Sequence, residues 1–317
     1  MVKKEKISVV VPCYNEQESL PLFYKEINKI SNEMETVEFE FMFINDGSKD
    51  KTLELLRDLS KEDKRVRYIS FSRNFGKEAG MYAGLKNVTG DYVAIMDADM
   101  QDPPEMLKKM YEVLNNEDYD CAALYTKIHE GYGMIRKSLT NIWYKLIGKI
   151  SDSHQVPGAR DFRLMTRQMA DSIISMKEYN RYTKGMFGFI GFNTKWIEYV
   201  APNRIAGESK FSLKKLIKYA FEGIVSFSTF PLITAAYIGL VFCLVAFLAI
   251  VVIITKTIIW GDPVGGWPSL ACLIVFIGGV QLFFFGIMGV YLSKIYLEVK
   301  HRPIYISKET EKSRKEQ

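Results

Sequence analysis

The chain of 317 residues is poor in cysteine, with four in all. Cys13, Cys121, Cys243 and Cys272 lie far apart and make no C-x-x-C pair, which argues against a disulfide framework and a thiolate zinc site. Internal repeats and low-complexity tracts are absent as well. The apolar run after the basic Met1–Lys6 stops at Pro12, too short for a signal peptide, so the N-terminal part is expected to stay in the cytoplasm. Two long stretches, Phe230–Ile254 and Trp267–Leu292, contain no charged residue. The linker Trp260–Gly266 between them contains neither lysine nor arginine.

Those uncharged stretches split the composition. The whole chain is 48% hydrophobic with a net charge of +5, values ordinary for a globular protein. The first two thirds mix charged and apolar residues, and the chain turns strongly apolar from Phe230. At ~1.5 Å rise per residue, each run makes a helix longer than the ~30 Å hydrocarbon core of a bilayer. Gly261, Pro263, Gly265 and Gly266 suit a tight turn between them. Lys210, Lys214, Lys215 and Lys218 precede the pair, and Lys294, Lys300, Arg302, Lys308, Lys312, Arg314 and Lys315 follow it. Basic flanks on both outer sides predict a membrane hairpin with both termini on the cytoplasmic side. Trp260, Trp267, Tyr291 and Tyr296 suit the interfaces, and Gln281 is the strongly polar residue within a span. Two helices are few for a transporter, so the hairpin reads as an anchor. The basic excess is placed for lipid, and no nucleic-acid partner is expected.

The soluble part alternates. Ile7–Val11, Phe39–Ile44, Val66–Phe71, Tyr92–Met96 and Cys121–Tyr125 read as strands. Helical patterns run from about Glu18 to Ser31, Lys51 to Ser60 and Lys77 to Asn87. The alternation predicts βαβ units, a mainly parallel sheet and a ligand site at the carboxyl ends of the strands. Pro103-Pro104 can open a further helix. Met134–Ile150 and Phe211–Phe227 read as basic amphipathic helices, the second leading into the first span. The polar tail after Ile306 is expected to lack structure. The domain boundaries are placed at 1–205 for the α/β domain, 206–228 for the juxtamembrane segment, 229–293 for the hairpin and 294–317 for the basic tail.

Asp97-Ala98-Asp99-Met100-Gln101-Asp102 closes the fourth strand. Residues two apart on a strand point the same way, so Asp97 and Asp99 can converge on one cation. Hard oxygen ligands suit Mg²⁺ or Mn²⁺, and such an ion can neutralise a departing diphosphate. Arg204 and Lys210 lie just ahead of the first span, which sets a phosphate-type cluster beside the lipid surface.

Val9-Val10-Val11-Pro12-Cys13-Tyr14-Asn15-Glu16, Asn45-Asp46-Gly47-Ser48, Asp97–Glu105, Arg160-Asp161-Phe162-Arg163-Leu164 and Glu298–Tyr305 together resemble the family 2 glycosyltransferases. Within that family they are similar to the polyprenyl-phosphate branch. The resemblance implies an α/β GT-A fold, Rossmann-like, with a C-terminal two-helix transmembrane hairpin. It implies an inverting transfer of sugar from a nucleotide donor to a polyprenyl phosphate such as undecaprenyl phosphate, for the cell envelope. UDP-glucose is the first choice of donor, UDP-N-acetylglucosamine the second and GDP-mannose the third. By this resemblance Pro12, Tyr14, Glu16 and Asp46 would hold base and ribose. Asp97 would contact the donor and share the catalytic work with Asp161. Asp99 and Gln101 would hold the metal and diphosphate. Arg136, Lys137, Arg204, Ser209 and Lys210 would meet the acceptor phosphate. A bacterial inner-membrane location and a homo-oligomer, a tetramer, are further implications.

Two other readings remain open at this level. A processive polysaccharide synthase shares the fold, but its Q-x-x-R-W motif is absent and Tyr182-Thr183-Lys184-Gly185 lies in that region instead. A non-catalytic membrane scaffold would leave the acidic cluster without a purpose.

Overall fold

The computed structural model of the chain describes residues 4–126, 156, 158–199, 230–260 and 266–315. The chain divides into two units, Met1–Leu216 with Arg302–Gln317, and Ile217–His301.

The first unit is built on an eight-stranded sheet of order β7-β5-β6-β4-β1-β2-β3-β8. Its strands are β1 (Glu5–Cys13), β2 (Val37–Asn45), β3 (Val66–Phe71), β4 (Tyr92–Ile95), β5 (Cys121–Tyr125), β6 (Ala159–Thr166), β7 (Thr194–Glu198) and β8 (Ser307–Thr310). Strands β3, β2, β1 and β4 run parallel, as do β5 and β7. Strands β6 and β8 run against their neighbours. The helices of this unit are α1 (Ser19–Glu33), α2 (Thr52–Glu62), α3 (Lys77–Asn87), α4 (Met106–Asn116), α5 (Arg167–Ser175) and α6 (Thr183–Phe189).

Central parallel strands must be apolar on both faces, because helices cover both. Val9, Val11, Phe41 and Phe43 point into one core with Leu20, Phe23 and Ile27 of α1 and Leu107 and Met110 of α4. Val10, Met42 and Ile44 point into the other with Met81, Ala83 and Leu85 of α3 and Met169 and Ile173 of α5. Helix α3 lies close on β1, and Gly84 allows it: a Cβ there would stand 2.1 Å from Val10 Cγ1.

The tail after Ile306 corrects its expectation. It forms β8 and a closing turn of helix, Glu311–Lys315. Strand β8 pairs antiparallel with β3. Polar composition misled because its carboxylates find partners across the sheet edge. Arg57 donates to both oxygens of Glu309 at 2.9 and 2.6 Å, and Tyr68 Oη donates to it at 2.6 Å. Arg67 donates to Glu311 at 3.0 Å, and Tyr305 stacks on Phe71 with ring centres 4.9 Å apart.

The second unit comprises two helices, Phe230–Trp260 and Trp267–Val299. These match the two apolar runs. Phe242 of the first and Phe276 of the second have ring centres 5.8 Å apart. Many apolar side chains face outward, Leu244, Val252, Leu282 and Phe283 among them. A soluble unit rarely leaves so many uncovered. Among the described residues, one stretch, Phe276–Val299, is long and apolar enough to cross a membrane. The predicted amphipathic helices at 134–150 and 211–227 lie outside the described residues.

Arg67 also links the tail to a buried carboxylate. Glu40 accepts from Ser8 Oγ at 2.7 Å, from Thr89 N at 3.0 Å and from Arg67 at 2.5 Å. Burial opposes its charge, but these donors outweigh that and hold its carboxyl at about 2, against an ordinary 4.5. A depressed folded value stabilises the fold above the unfolded value and is lost as pH falls through the folded one. Acidification from about pH 5 to about pH 2 is therefore expected to remove on the order of 3 kcal/mol through Glu40 alone. Thermal melts across that range should be flatter for Glu40→Gln than for the parent. Parallel curves would refute this role for Glu40.

Candidate active site

The chain leaves β1 toward β2 on one side, and β4 lies on the other side of β1. Loops at the carboxyl ends of β1 and β4 therefore part and leave a crevice between them. Pro12, Tyr14 and Glu16, Asp46, and Asp97 with Asp99 sit on three of these neighbouring strand ends.

The β1 and β2 loops brace each other. Asn15 has φ 56°, in the left-handed region that asparagine tolerates. Its main-chain N–H donates to Ser48 Oγ at 3.0 Å, and its side chain accepts from Lys49 N at 2.9 Å. Glu16 N donates to Thr52 Oγ1 at 2.9 Å, and the Glu16 carboxylate accepts from Ser19 Oγ. Burial pushes the Glu16 carboxyl up, aided by the charges of Asp99 and Asp97. Tyr14 stands exposed beside this framework, and Pro12 lies in register with Ile44.

Asp46 is buried and carries the next loop. Its two oxygens accept from the N–H groups of Phe75 at 2.6 Å and Gly76 at 2.9 Å. Lone pairs remain on each oxygen for a ligand. Gly47 makes the close approach possible, since it has φ +66° and a Cβ there would meet the Arg73 carbonyl carbon at 2.5 Å. Gly76, with φ +97°, then turns the chain into α3.

At the start of α3 stands Lys77, which reaches both predicted catalytic carboxylates. Its Nζ lies 2.7 Å from Asp97 and 2.5 Å from Asp161. Ile95 of β4 pairs with Arg163 of β6, and that register continued by two residues sets Asp97 opposite Asp161. Lys184, from α6, lies 3.4 Å from the other Asp161 oxygen. Burial opposes the charge of Asp161, but Lys184 and Lys77 prevail and hold its carboxyl well below the usual range. Burial likewise works against the Lys77 ammonium, and Asp161 and Asp97 outweigh it, so Lys77 stays firmly protonated. Asp97 is raised instead. Burial leads, Lys77 opposes it, and the charges of Asp161 and Asp99 add to the burial. Asp161 has two lysines and Asp97 has one, which accounts for their opposite directions.

Asp99 is more exposed than Asp97. It accepts from Gln101 N at 3.1 Å and Gln101 Nε2 at 2.7 Å, with Met100 between them at φ 58°. Arg160 donates to Gln101 Oε1 at 3.3 Å and to buried Asp102 at 2.7 Å. Asp102 also accepts from Tyr199. Arg163 does not bind the Asp161 carboxylate. It donates to the main-chain oxygens of Asp161 and Arg160, and its guanidinium lies 3.4 Å from the Phe187 ring centre.

Among the described residues no three His, Cys, Asp or Glu side chains converge as a metal cage. Asp97 and Asp99 offer hard oxygens from one strand end, a donor set that suits an ion completing its shell with phosphate oxygens and water. Arg136, Lys137, Arg204, Ser209 and Lys210 lie outside the described residues. Lys77 and Lys184 were not singled out from the sequence. One signal was available for Lys77: it follows Ser72-Arg73-Asn74 at the carboxyl end of β3, where ligands gather.

Residues 8–174 match the sequence family described as Glycosyl transferase family 2. A bactoprenol glucosyl transferase of Shigella phage SfX is 42% identical over 303 residues, spanning 96% of this chain and 99% of that protein. A prophage bactoprenol glucosyl transferase homolog of Escherichia coli strain K12 is 42% identical over 307 residues, 97% and 100% of the two chains. An uncharacterised glycosyltransferase of Bacillus subtilis strain 168, YkcC, is 34% identical over 306 residues, 96% and 94%.

The Asp46 contacts make a stability test. Asp46→Ala leaves two N–H groups without their acceptor, a loss of about 1–3 kcal/mol. A lower thermal midpoint is expected for that variant, and an unchanged one would show that the loop before α3 is held by other means.

Proposed function

The chain belongs to glycosyl transferase family 2, and on that premise we propose that it transfers a sugar from a nucleotide donor to a polyprenyl phosphate at the cytoplasmic face of a bacterial inner membrane. The observation that carries this reading is the extent of the match: relatives named for bactoprenol glucosyl transfer align with 96–97% of the chain at 42% identity, the apolar C-terminal part included. The same names favour glucose, and with it UDP-glucose as donor. The two helices of the second unit are the proposed membrane hairpin, with both chain ends in the cytoplasm. A homo-oligomer belongs to the same proposal.

The chemistry fits an anionic acceptor. A lipid phosphate monoester already bears charge at neutral pH, so its oxygen can attack the anomeric carbon without a strong base. Attack in line, with the nucleoside diphosphate leaving on the far side, inverts the anomeric centre. Positioning and charge neutralisation then supply most of the rate. Asp161, held ionised by two lysines, suits a fixed anion better than a proton acceptor. On the donor side, Pro12, Tyr14, Glu16 and Asp46 are the proposed contacts for base and ribose, and Asp97 for the sugar diphosphate. Asp99 and Gln101 are the proposed holders of Mg²⁺ or Mn²⁺, which when bound would offset charge on the departing diphosphate. Arg136, Lys137, Arg204, Ser209 and Lys210 are the proposed acceptor-phosphate contacts.

Radiolabelled UDP-glucose with undecaprenyl phosphate in membranes decides the reading. Chloroform-soluble product supports it; aqueous polymer points to a synthase, and no product with any nucleotide sugar refutes both. Asp99→Ala should abolish metal-dependent transfer while the protein stays folded, and near-normal transfer would remove Asp99 from the metal site. Arg204→Ala and Lys210→Ala should raise KM for the lipid far more than for the nucleotide sugar. The reverse pattern would move both residues to the donor side.

A further inference from the structure

Lys77 joins three elements that are far apart in the chain. It opens α3, Asp97 follows β4, and Asp161 lies on β6. The ammonium is within 2.7 Å of one carboxylate and 2.5 Å of the other. Its neighbours are anchored independently of it. Phe75 and Gly76 are tied to Asp46 through their N–H groups. Glu78 accepts from Thr183 N at 2.9 Å and from the Thr183 hydroxyl, which fixes the start of α6 against α3. The next residue after Thr183 is Lys184, the second cation on Asp161. With the main chain held on both sides, the lysine ammonium lies between the two carboxylates. An exposed ion pair contributes little because holding two long side chains offsets the attraction. Here the Lys77 side chain is itself 40% exposed, but the one cation serves two carboxylates, 27% and 20% exposed, that would otherwise repel.

We propose that Lys77 is a positioning residue for sugar transfer, coupling Asp97 to Asp161 so that the donor-side and β6 carboxylates keep one fixed spacing. This rests on the reading of those strand ends as the donor site. The coupling also occupies one side of Asp97 and leaves Asp99 as the carboxylate more open to a cation. Loss of the ammonium leaves Asp97 without its lysine while Asp161 keeps Lys184, so the spacing between the two carboxylates is no longer fixed. The ground-state contacts of base and ribose, on β1 and β2, are not touched by it. Turnover should suffer more than donor binding.

The test uses the full chain in lipid nanodiscs. Thermal midpoints of Lys77→Met, Asp161→Asn and the double variant form a cycle that does not depend on activity. The double variant is expected to lose less than the sum of the single losses, and additive losses would overturn the coupling. With UDP-glucose and undecaprenyl phosphate, Lys77→Met should lower kcat by about 100-fold, with KM for UDP-glucose changed by less than about threefold. Lys77→Arg should recover part of the loss. Wild-type kcat in Lys77→Met, or a fall in kcat that follows the loss of folded protein without recovery by arginine, would overturn the assignment. If the wild-type protein makes no glycolipid with any donor, the functional reading fails, and the thermal cycle still decides the coupling.

Discussion

Two carboxylates set side by side at one end of neighbouring strands repel unless a cation lies between them. Asp97 and Asp161 are brought together there by the antiparallel pairing of β4 with β6, and Lys77 is the cation. Much of the surrounding architecture bears on where that ammonium sits. Gly84 lets α3 lie close on β1, Gly76 turns the chain into the helix, and Asp46 ties down the residues before it. Each is a separate physical device, a missing Cβ, a positive φ and a buried acceptor. Together they deliver one nitrogen to one place.

One lateral edge of the sheet has its own closure. Strand β3 would present unpaired N–H and C=O groups, a liability in any sheet. The segment after the apolar helices covers it, with β8 in antiparallel register and Glu309 gripped by Arg57 and Tyr68. The chain thus completes its first unit with residues that follow the second one. Arg67 adds a second charge cluster there, bridging Glu40 and Glu311.

In the proposed reaction the acceptor arrives already charged, and this shifts the demand from proton removal to charge placement. A carboxylate locked between lysines is consistent with that demand, since it holds its charge through the whole neutral range. Relatives that share 42% identity with the chain are named for bactoprenol glucosyl transfer, in keeping with that proposal. The outward-facing apolar side chains of the second unit are in keeping with a lipid setting.

Local pattern was enough for the central elements. Val66–Phe71, Lys77–Asn87 and Cys121–Tyr125 match the structure at both ends, and the other early strands and helices match within a few residues. Apolar periodicity and turn residues are local signals, and buried parallel strands display them strongly. The Asp97-Ala98-Asp99 cluster at a strand end was legible for the same reason. Strands β6, β7 and β8 were not, because charged residues interrupt them and their pairing partners lie elsewhere in the chain. The tail shows this most clearly: polarity alone suggested disorder, and only Arg57, Arg67 and Tyr68 across the edge give its carboxylates a reason to order. Lys77 belongs with these. As a lysine at a helix start its one local mark is the Ser72-Arg73-Asn74 segment before it, which names no partner. Its meaning arises only when β4, β6 and α3 are packed together, because an interaction between charges depends on distance in space and not along the chain.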